Sequence, residues 1–231
     1  MIISTIRNIL TKNKYLIISI LILVFVKSFI FDVSLVPTGS MKLTILPGDF
    51  LLITKYDYGY NGYSIAPLSI PQLQKKYWKK APKQGDIATF KFGRKTLIKR
   101  VIGLPGQKIQ FIEGALLIDD IPVQKHLIKS LNAQGIKTDI YKEKLPNGLE
   151  YEIIEKHNLS NAALAEFQNT IPYYIPENHY FFLGDNRFES KDSRFIGAIP
   201  EDKITAKAKY IIFSFQTFRN LKYLKRSFLK L

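Results

Sequence analysis

The sequence predicts a mostly β protein: an antiparallel β-sheet domain, interrupted by an insertion subdomain and preceded by one N-terminal transmembrane helix. Three observations predict it. An apolar run, Tyr15 to Val36, stands near the start of 231 residues. Short runs rich in Val, Ile, Thr, Tyr and Phe then follow one another, set apart by Gly, Pro, Asn and Asp, which is the pattern of antiparallel strands. Helical patterns are confined to Gln72–Lys80, Asn158–Gln168 and the tail after Phe215.

Residues 1–14, with Arg7, Lys12 and Lys14, read as a cytoplasmic N-terminus. Tyr15 to Val26 is free of charge and Ser28 to Phe31 continues the apolar run, so 15–36 supplies the ~20 mostly apolar residues of a spanning helix. Lys27 interrupts it near the outer third, where its amine can reach toward headgroups. No small-x-small pair follows, since Phe31-Asp32-Val33-Ser34-Leu35 stands there, so the segment reads as an uncleaved anchor rather than a cleaved secretory signal. Between Ser28 and Leu46 the only cation is Lys42, and the positive-inside rule places everything after Val36 outside the cytoplasm.

Strands are expected over Phe50–Thr54, Asp86–Phe92, Thr96–Leu104, Tyr180–Leu183 and Ile204–Phe215. Lys108–Ile112 and Ala115–Ile118 flank Glu113-Gly114 as a hairpin. Residues 37–105 and 175–215 therefore form the β domain, and 106–174, with its polar stretch Leu131–Tyr151, the insertion. Tyr56 to Trp78 is dense in Tyr and Pro and suits a membrane interface slightly better than a packed loop. In the tail 216–231, Phe218, Leu221, Leu224 and Phe228 continue from Phe215 at spacings of three and four. Arg219, Lys222, Lys225, Arg226 and Lys230 fill the gaps, as in a basic amphipathic helix.

A net charge of +15 suits nucleic acid or an anionic membrane surface. With a membrane segment present and no zinc-finger, helix-turn-helix or RNP pattern, the partner is membrane lipid, not nucleic acid. The absence of cysteine excludes disulfides, a thiolate nucleophile and cysteine metal sites. His126, His157 and His179 share no metal-ligand spacing, so no metal is expected.

Three polar stretches stand out. In Pro37-Thr38-Gly39-Ser40-Met41, a turn of small residues presents the Ser40 hydroxyl directly after the anchor. In Thr96 to Gly106, alternation puts Leu97, Lys99 and Val101 on one face and Ile98, Arg100 and Ile102 on the other. Flanked by Leu and Val, the Lys99 amine loses water, its pKa falls, and the neutral amine can act as a general base. The alternative for such a lysine is a packed stem with its head in solvent. The third stretch, Gly184-Asp185-Asn186-Arg187 to Gly197, is a polar loop delivered by the apolar strand Tyr180–Leu183 and suited to Asp–Arg pairing. Asp185, Asn186 and Asp192 lack the ligand spacing of a calcium loop.

These blocks, in this order behind an anchor, resemble the bacterial type I signal peptidase (leader peptidase) family. The resemblance rests on Pro37–Met41 with Gly48-Asp49, on Lys99–Gly106, and on Gly184–Arg187 with Ser190, Asp192, Ser193, Arg194 and Gly197. It implies a mostly β serine protease with a Ser–Lys dyad, a known variant of serine catalysis. Carried over by position, Ser40 is the nucleophile and Lys99 the base. The Ser40 N–H and the Thr38 hydroxyl form the oxyanion hole. Ser190 orients the Lys99 amine, Asp192 pairs with Arg194, and Asp185 and Arg187 support the loop. Val36, Met41, Ile45, Leu97 and Ile98 match pocket positions for small side chains before the cut, and 106–174 matches a variable insertion. The substrates implied are signal peptides of exported preproteins, and the place is the bacterial cytoplasmic membrane with the catalytic domain on its outer side. No cofactor is implied. Two positions depart from the family pattern. Leu43 stands where proline is frequent, which bears on the local turn, and Phe188-Glu189 replaces a polar pair, which is expected to alter only the outer loop. Rival readings are a Ser–Lys peptidase dedicated to one substrate, a self-cleaving regulator, and an anchored non-catalytic β domain. The last predicts that Ser40 and Lys99 lie far apart.

Overall fold

The computed structural model describes residues 11–64, 73, 75–133, 136–157 and 168–231. Helix α1, Lys14–Phe29, exposes Leu16, Ile18, Ile20, Leu21, Ile22, Leu23 and Phe25 together. Its 16 residues reach about 24 Å at 1.5 Å per residue. Among the described residues, no helix is long and apolar enough to cross a membrane.

The expected span 15–36 is therefore corrected at its outer end. Phe31–Leu35 is strand β1, paired antiparallel with β2, Asp49–Thr54. The reason is periodicity: Phe31, Val33 and Leu35 are exposed on one face, while Asp32 and Ser34 alternate with them. Asp32 also has local partners, since it lies 3.3 Å from Lys27 Nζ and 3.8 Å from Lys55 Nζ.

The main sheet continues through β3 (Ile87–Phe92), β4 (Lys95–Gly103), β12 (His179–Leu183), β13 (Ile199–Pro200) and β14 (Ile204–Ser214). Its order is β1-β2-β14-β3-β4-β12-β13. All of its pairings are antiparallel. The long β14 lies between β2 and β3, so the last long strand joins two earlier parts of the chain. One core cluster, with Val36, Met41, Ile45, Leu51, Ile87 and Ile211, forms under the loop that carries Ser40. A second, with Tyr58, Phe90, Val101, Phe182 and Ile204, fills the rest of the sheet.

The insertion holds the hairpin β5 (Lys108–Ile112) and β6 (Ala115–Ile118), with Glu113 and Gly114 both at positive φ as a type I′ turn requires. Two short strands, β7 (Ile121–Pro122) and β11 (Tyr173–Tyr174), complete that sheet. A separate sheet has the order β10-β9-β8, from Glu150–His157, Ile136–Lys144 and Gln124–Ala133. The polar stretch Leu131–Tyr151 thus contains strand. The insertion has no core of its own there: Ile109, Phe111, Leu116, Tyr151 and Ile153 share one cluster with Ile102, Phe181 and Leu183 of the main sheet.

The remaining helical expectations divide. Most of Asn158–Gln168 lies outside the described residues. Within Gln72–Lys80 the described residues are not helical, and Tyr77 bridges Tyr60. The aromatic stretch is split between roles: Tyr58 is buried and its hydroxyl donates to Asp86, whereas Trp78 is 76% exposed. The tail is not one amphipathic helix. Gln216–Arg219 is a short helix, Asn220 is extended, Leu221–Arg226 is 3-10, and Leu229–Lys230 pairs with β14 as β15. Edge pairing on β14 competes with helix continuation and wins. The apolar residues nevertheless face outward, with Phe218, Leu221, Leu224 and Phe228 exposed.

Candidate active site

Ser40 sits in a loop closed at its base by Val36 N–H to Asp49 O and Gly48 N–H to Val36 O. Gly48 turns this base at φ 89°, a conformation that favours glycine. Leu43, inside the loop, has φ 86°. Proline is fixed near φ −65°, so the family's usual residue does not fit this backbone.

Lys99 projects from β4 opposite Ala88 of β3, a short side chain that leaves room for it. Its Nζ lies 2.5 Å from Ser40 Oγ and donates to Ile98 O at 2.9 Å. Both residues are buried, at 3% and 6% exposure. Burial lowers the Lys99 pKa to about 8, against the opposing pull of Asp192 and Asp185.

The polar loop after β12 packs against this pair. Asp192 takes a bidentate hold from Arg194, Nε to Oδ1 at 2.9 Å and Nη2 to Oδ2 at 3.0 Å, and accepts the Gly184 N–H. It also caps the short helix α2, Ser193–Ile196, through Arg194 N–H. Ser193 Oγ accepts Phe182 N–H, which ties the loop back to β12. Asp185 and Arg187 do not pair with each other. Asp185 is gripped by Arg100, Nε at 2.9 Å and Nη2 at 2.7 Å, and accepts the Thr44 hydroxyl at 2.5 Å. Arg187 instead meets Glu143 of the insertion. Arg100, Thr44 and Glu143 are the partners that sequence reasoning missed. Only Arg100, a cation alternating with apolar neighbours on β4, carried a local signal.

The expected Ser190 to Lys99 hydrogen bond is not formed. Ser190 Oγ is buried and has no hydrogen-bond partner among the described residues. Its place explains the glycine before Asp185: a Cβ on Gly184 would stand 2.2 Å from Ser190 Oγ and 2.6 Å from Ser40 O. Glu189 is more than an outer-loop substitution, because it accepts Asn186 Nδ2 at 3.1 Å and pairs with Lys156. Thr38 is exposed at the lip of the Ser40 loop. Val36, Met41 and Ile45 are fully buried, with Ile98 against them, whereas Leu97 packs in the second cluster. The pocket positions are thus divided between two cores.

A family profile described as "Signal peptidase, peptidase S26" matches residues 9–213. The chain belongs to the signal peptidase family, peptidase S26. It is 39% identical over 202 residues to "Signal peptidase I" of Rickettsia massiliae, covering 84% of this chain and 76% of that protein. The Rickettsia conorii protein of the same name is 40% identical over 186 residues, covering 78% and 70%. A solved signal peptidase I from Enterococcus faecalis aligns with 55% of this chain and 97% of its own, at 24% identity and a TM-score of 0.32, too distant a superposition to argue from. As a member of the signal peptidase family, the chain is a serine peptidase, a hydrolase. Among the described residues no cluster of His, Asp and Glu is arranged for a metal, and in the 184–197 loop Asp185 is taken up by Arg100, Asp192 by Arg194 and Glu189 by Lys156.

Proposed function

We propose that this peptidase is anchored in the bacterial cytoplasmic membrane and removes N-terminal signal peptides from exported preproteins, with Ser40 as nucleophile and Lys99 as general base. The contact between the Lys99 amine and the Ser40 hydroxyl carries this reading. A buried amine with a pKa lowered to about 8 keeps a neutral fraction of roughly a tenth to a fifth near physiological pH, far more than an ordinary lysine, and the neutral form is the one a base requires.

The steps follow from that contact. Ser40 Oγ attacks the scissile carbonyl carbon while its proton passes to Lys99 Nζ. The oxyanion is received by the Ser40 N–H and the Thr38 hydroxyl. Collapse breaks the C–N bond, Lys99 returns the proton to the leaving amine, and an ester on Ser40 remains. Lys99 then deprotonates a water that hydrolyses the ester. Small side chains before the cut are favoured, because walls built from packed residues such as Val36, Met41 and Ile45 do not expand cheaply.

The anchor is supported by α1, which is apolar and exposed on all sides, a helix type that belongs in a protein core or a bilayer. Phe31, Val33 and Leu35 of β1 and Phe218, Leu221, Leu224 and Phe228 of the tail are further exposed apolar residues. The test is incubation of the detergent-solubilised protein with a preprotein, reading the new N-terminus. Cleavage behind a small residue is expected, with Ser40→Ala and Lys99→Arg both inactive. Arg stays charged throughout the accessible pH range, so an active Lys99→Arg enzyme would remove Lys99 from the role of base. For the membrane surface, Phe218, Leu221, Leu224 and Phe228 are replaced by serine in a protein lacking residues 1–30. Unchanged liposome binding would show that the tail does not meet lipid.

A further inference from the structure

The insertion reaches the nucleophile through a continuous set of buried contacts. Strand β10 pairs with the catalytic loop: Ile154 N–H donates to Asp185 O at 2.8 Å and Arg187 N–H to Ile154 O at 3.0 Å, which holds the backbone on both sides of Asn186. The Arg187 guanidinium is fixed by Glu143 on β9, with Nη1 to Oε1 at 2.8 Å and Nη2 on Oε2. Tyr151 on β10 donates its hydroxyl to Glu143 Oε2 at 2.6 Å and accepts Arg187 Nη2 at 3.2 Å. Its ring lies 4.2 Å from the Arg100 guanidinium, the group that grips Asp185. Glu143, Tyr151 and Arg187 are all buried.

Asn186, held in this way, donates twice toward the nucleophile: its backbone N–H to Ser40 O at 3.0 Å and its Nδ2 to Gly39 O at 3.1 Å. A trans peptide is planar, and its C=O and N–H point in opposite directions. Fixing Gly39 O therefore fixes the direction of the Ser40 N–H, which belongs to the same peptide unit.

We propose that the insertion is part of the catalytic unit, with Glu143 and Tyr151 as positioning residues that act through Arg187 and Asn186 to aim the Ser40 N–H at the developing oxyanion. This rests on the reading of Ser40 as nucleophile. A pair such as Arg187 and Glu143 is built to be kept whole, since removing one partner leaves a buried charge without compensation.

The test measures pre-steady-state cleavage of a preprotein by the full chain in detergent, comparing the burst amplitude, which counts active sites, with the acylation rate per site. Tyr151→Phe keeps the ring beside Arg100 and deletes the hydroxyl. It is expected to lower the acylation rate roughly 3–10-fold, the worth of one hydrogen bond, with amplitude and KM nearly unchanged. Glu143→Gln is expected to lower it further. The apparent pKa of kcat/KM should rise in both variants as the Ser40 loop loosens and Lys99 regains water. Lys142→Ala, which removes a half-exposed partner of Glu150 on the same strands, should change nothing. A purely structural role would reduce the amplitude alone. A folded Tyr151→Phe enzyme with an unchanged rate and pKa overturns the proposal, even if Glu143→Gln fails to fold. Full activity of Ser40→Ala would instead overturn the nucleophile assignment on which it rests.

Discussion

Lys99 Nζ stands 2.5 Å from Ser40 Oγ, across a sequence separation of 59 residues, with both side chains closed off from bulk water. The pH dependence of activity follows from the contact. Only the neutral amine accepts the serine proton, and the pKa is lowered to about 8 by burial. Activity as kcat/KM is therefore expected to rise with pH through an apparent pKa near 8 and then level off. A midpoint near the ordinary lysine value of about 10.4 would mean that Lys99 is solvated in the working enzyme.

Stability should respond to the same residue in the opposite sense. The folded pKa lies below the unfolded one, so below pH 8 the charged amine is held where it is poorly solvated, and above pH 10.5 it is neutral in both states. Lys99→Met should therefore raise stability at pH 7 by about 1–3 kcal/mol, once its lost hydrogen bonds are set against the relief of burial. The gain should shrink between pH 8 and 10.5. Urea denaturation across that range checks it, and a gain that does not vary with pH would point to packing instead.

Thr38→Val keeps the side-chain shape and deletes the hydroxyl. If that hydroxyl meets the oxyanion, kcat should fall by about 10²–10³ with little change in KM. An unchanged kcat would leave the Ser40 N–H to do this alone.

Leu43 holds a left-handed backbone within three residues of Ser40. Leu43→Gly should relieve this at a gain of up to about 1 kcal/mol, less any lost packing, while Leu43→Pro should prevent the loop from forming. Thermal denaturation separates the two. A stable, active proline variant would show that the loop turns differently in solution.

The tail also touches the loop that carries Ser40. Arg226 Nη2 donates to Asp49 Oδ2 at 2.8 Å and Thr44 O at 2.9 Å, and Asp49 is fully buried. Arg226→Ala should lower stability by about 3 kcal/mol, because it leaves the buried Asp49 side chain without its cationic partner. Arg226→Ala and Asp49→Asn should be non-additive in a double-mutant cycle, whereas strict additivity would mean that the two act apart.

The segments that carry Ser40 and Lys99 and most of the main-sheet strands were legible because their signals are local: a small-residue turn, an alternating strand, an Asn-and-Asp loop after an apolar run; the roles proposed for the two residues came from the family resemblance. Strand β1 was hidden because a window that counts apolar residues does not weigh their period, and Phe31, Val33 and Leu35 alternate with polar residues inside one. Strands β8 to β10 were hidden because a strand with exposed polar faces resembles a loop in composition. Glu143 gave no sign at all. Its burial is imposed by Arg187, 44 residues further along, and a charged residue on a polar strand looks the same whether its partner is a protein side chain or water.

The position of β14 between β2 and β3 sets a schedule for the protease. Ser40 precedes β2 and Lys99 stands on β4, so the halves of the sheet that bear them acquire their strand-to-strand pairing only when Ile204–Ser214 arrives. Contacts of such long sequence separation form late, after loop closure. A chain that has not yet reached β14 thus carries Ser40 and Lys99 without the completed sheet around them. For the proposed Ser40–Lys99 pair, this makes activity a property of the closed sheet and not of the segments that carry the two residues.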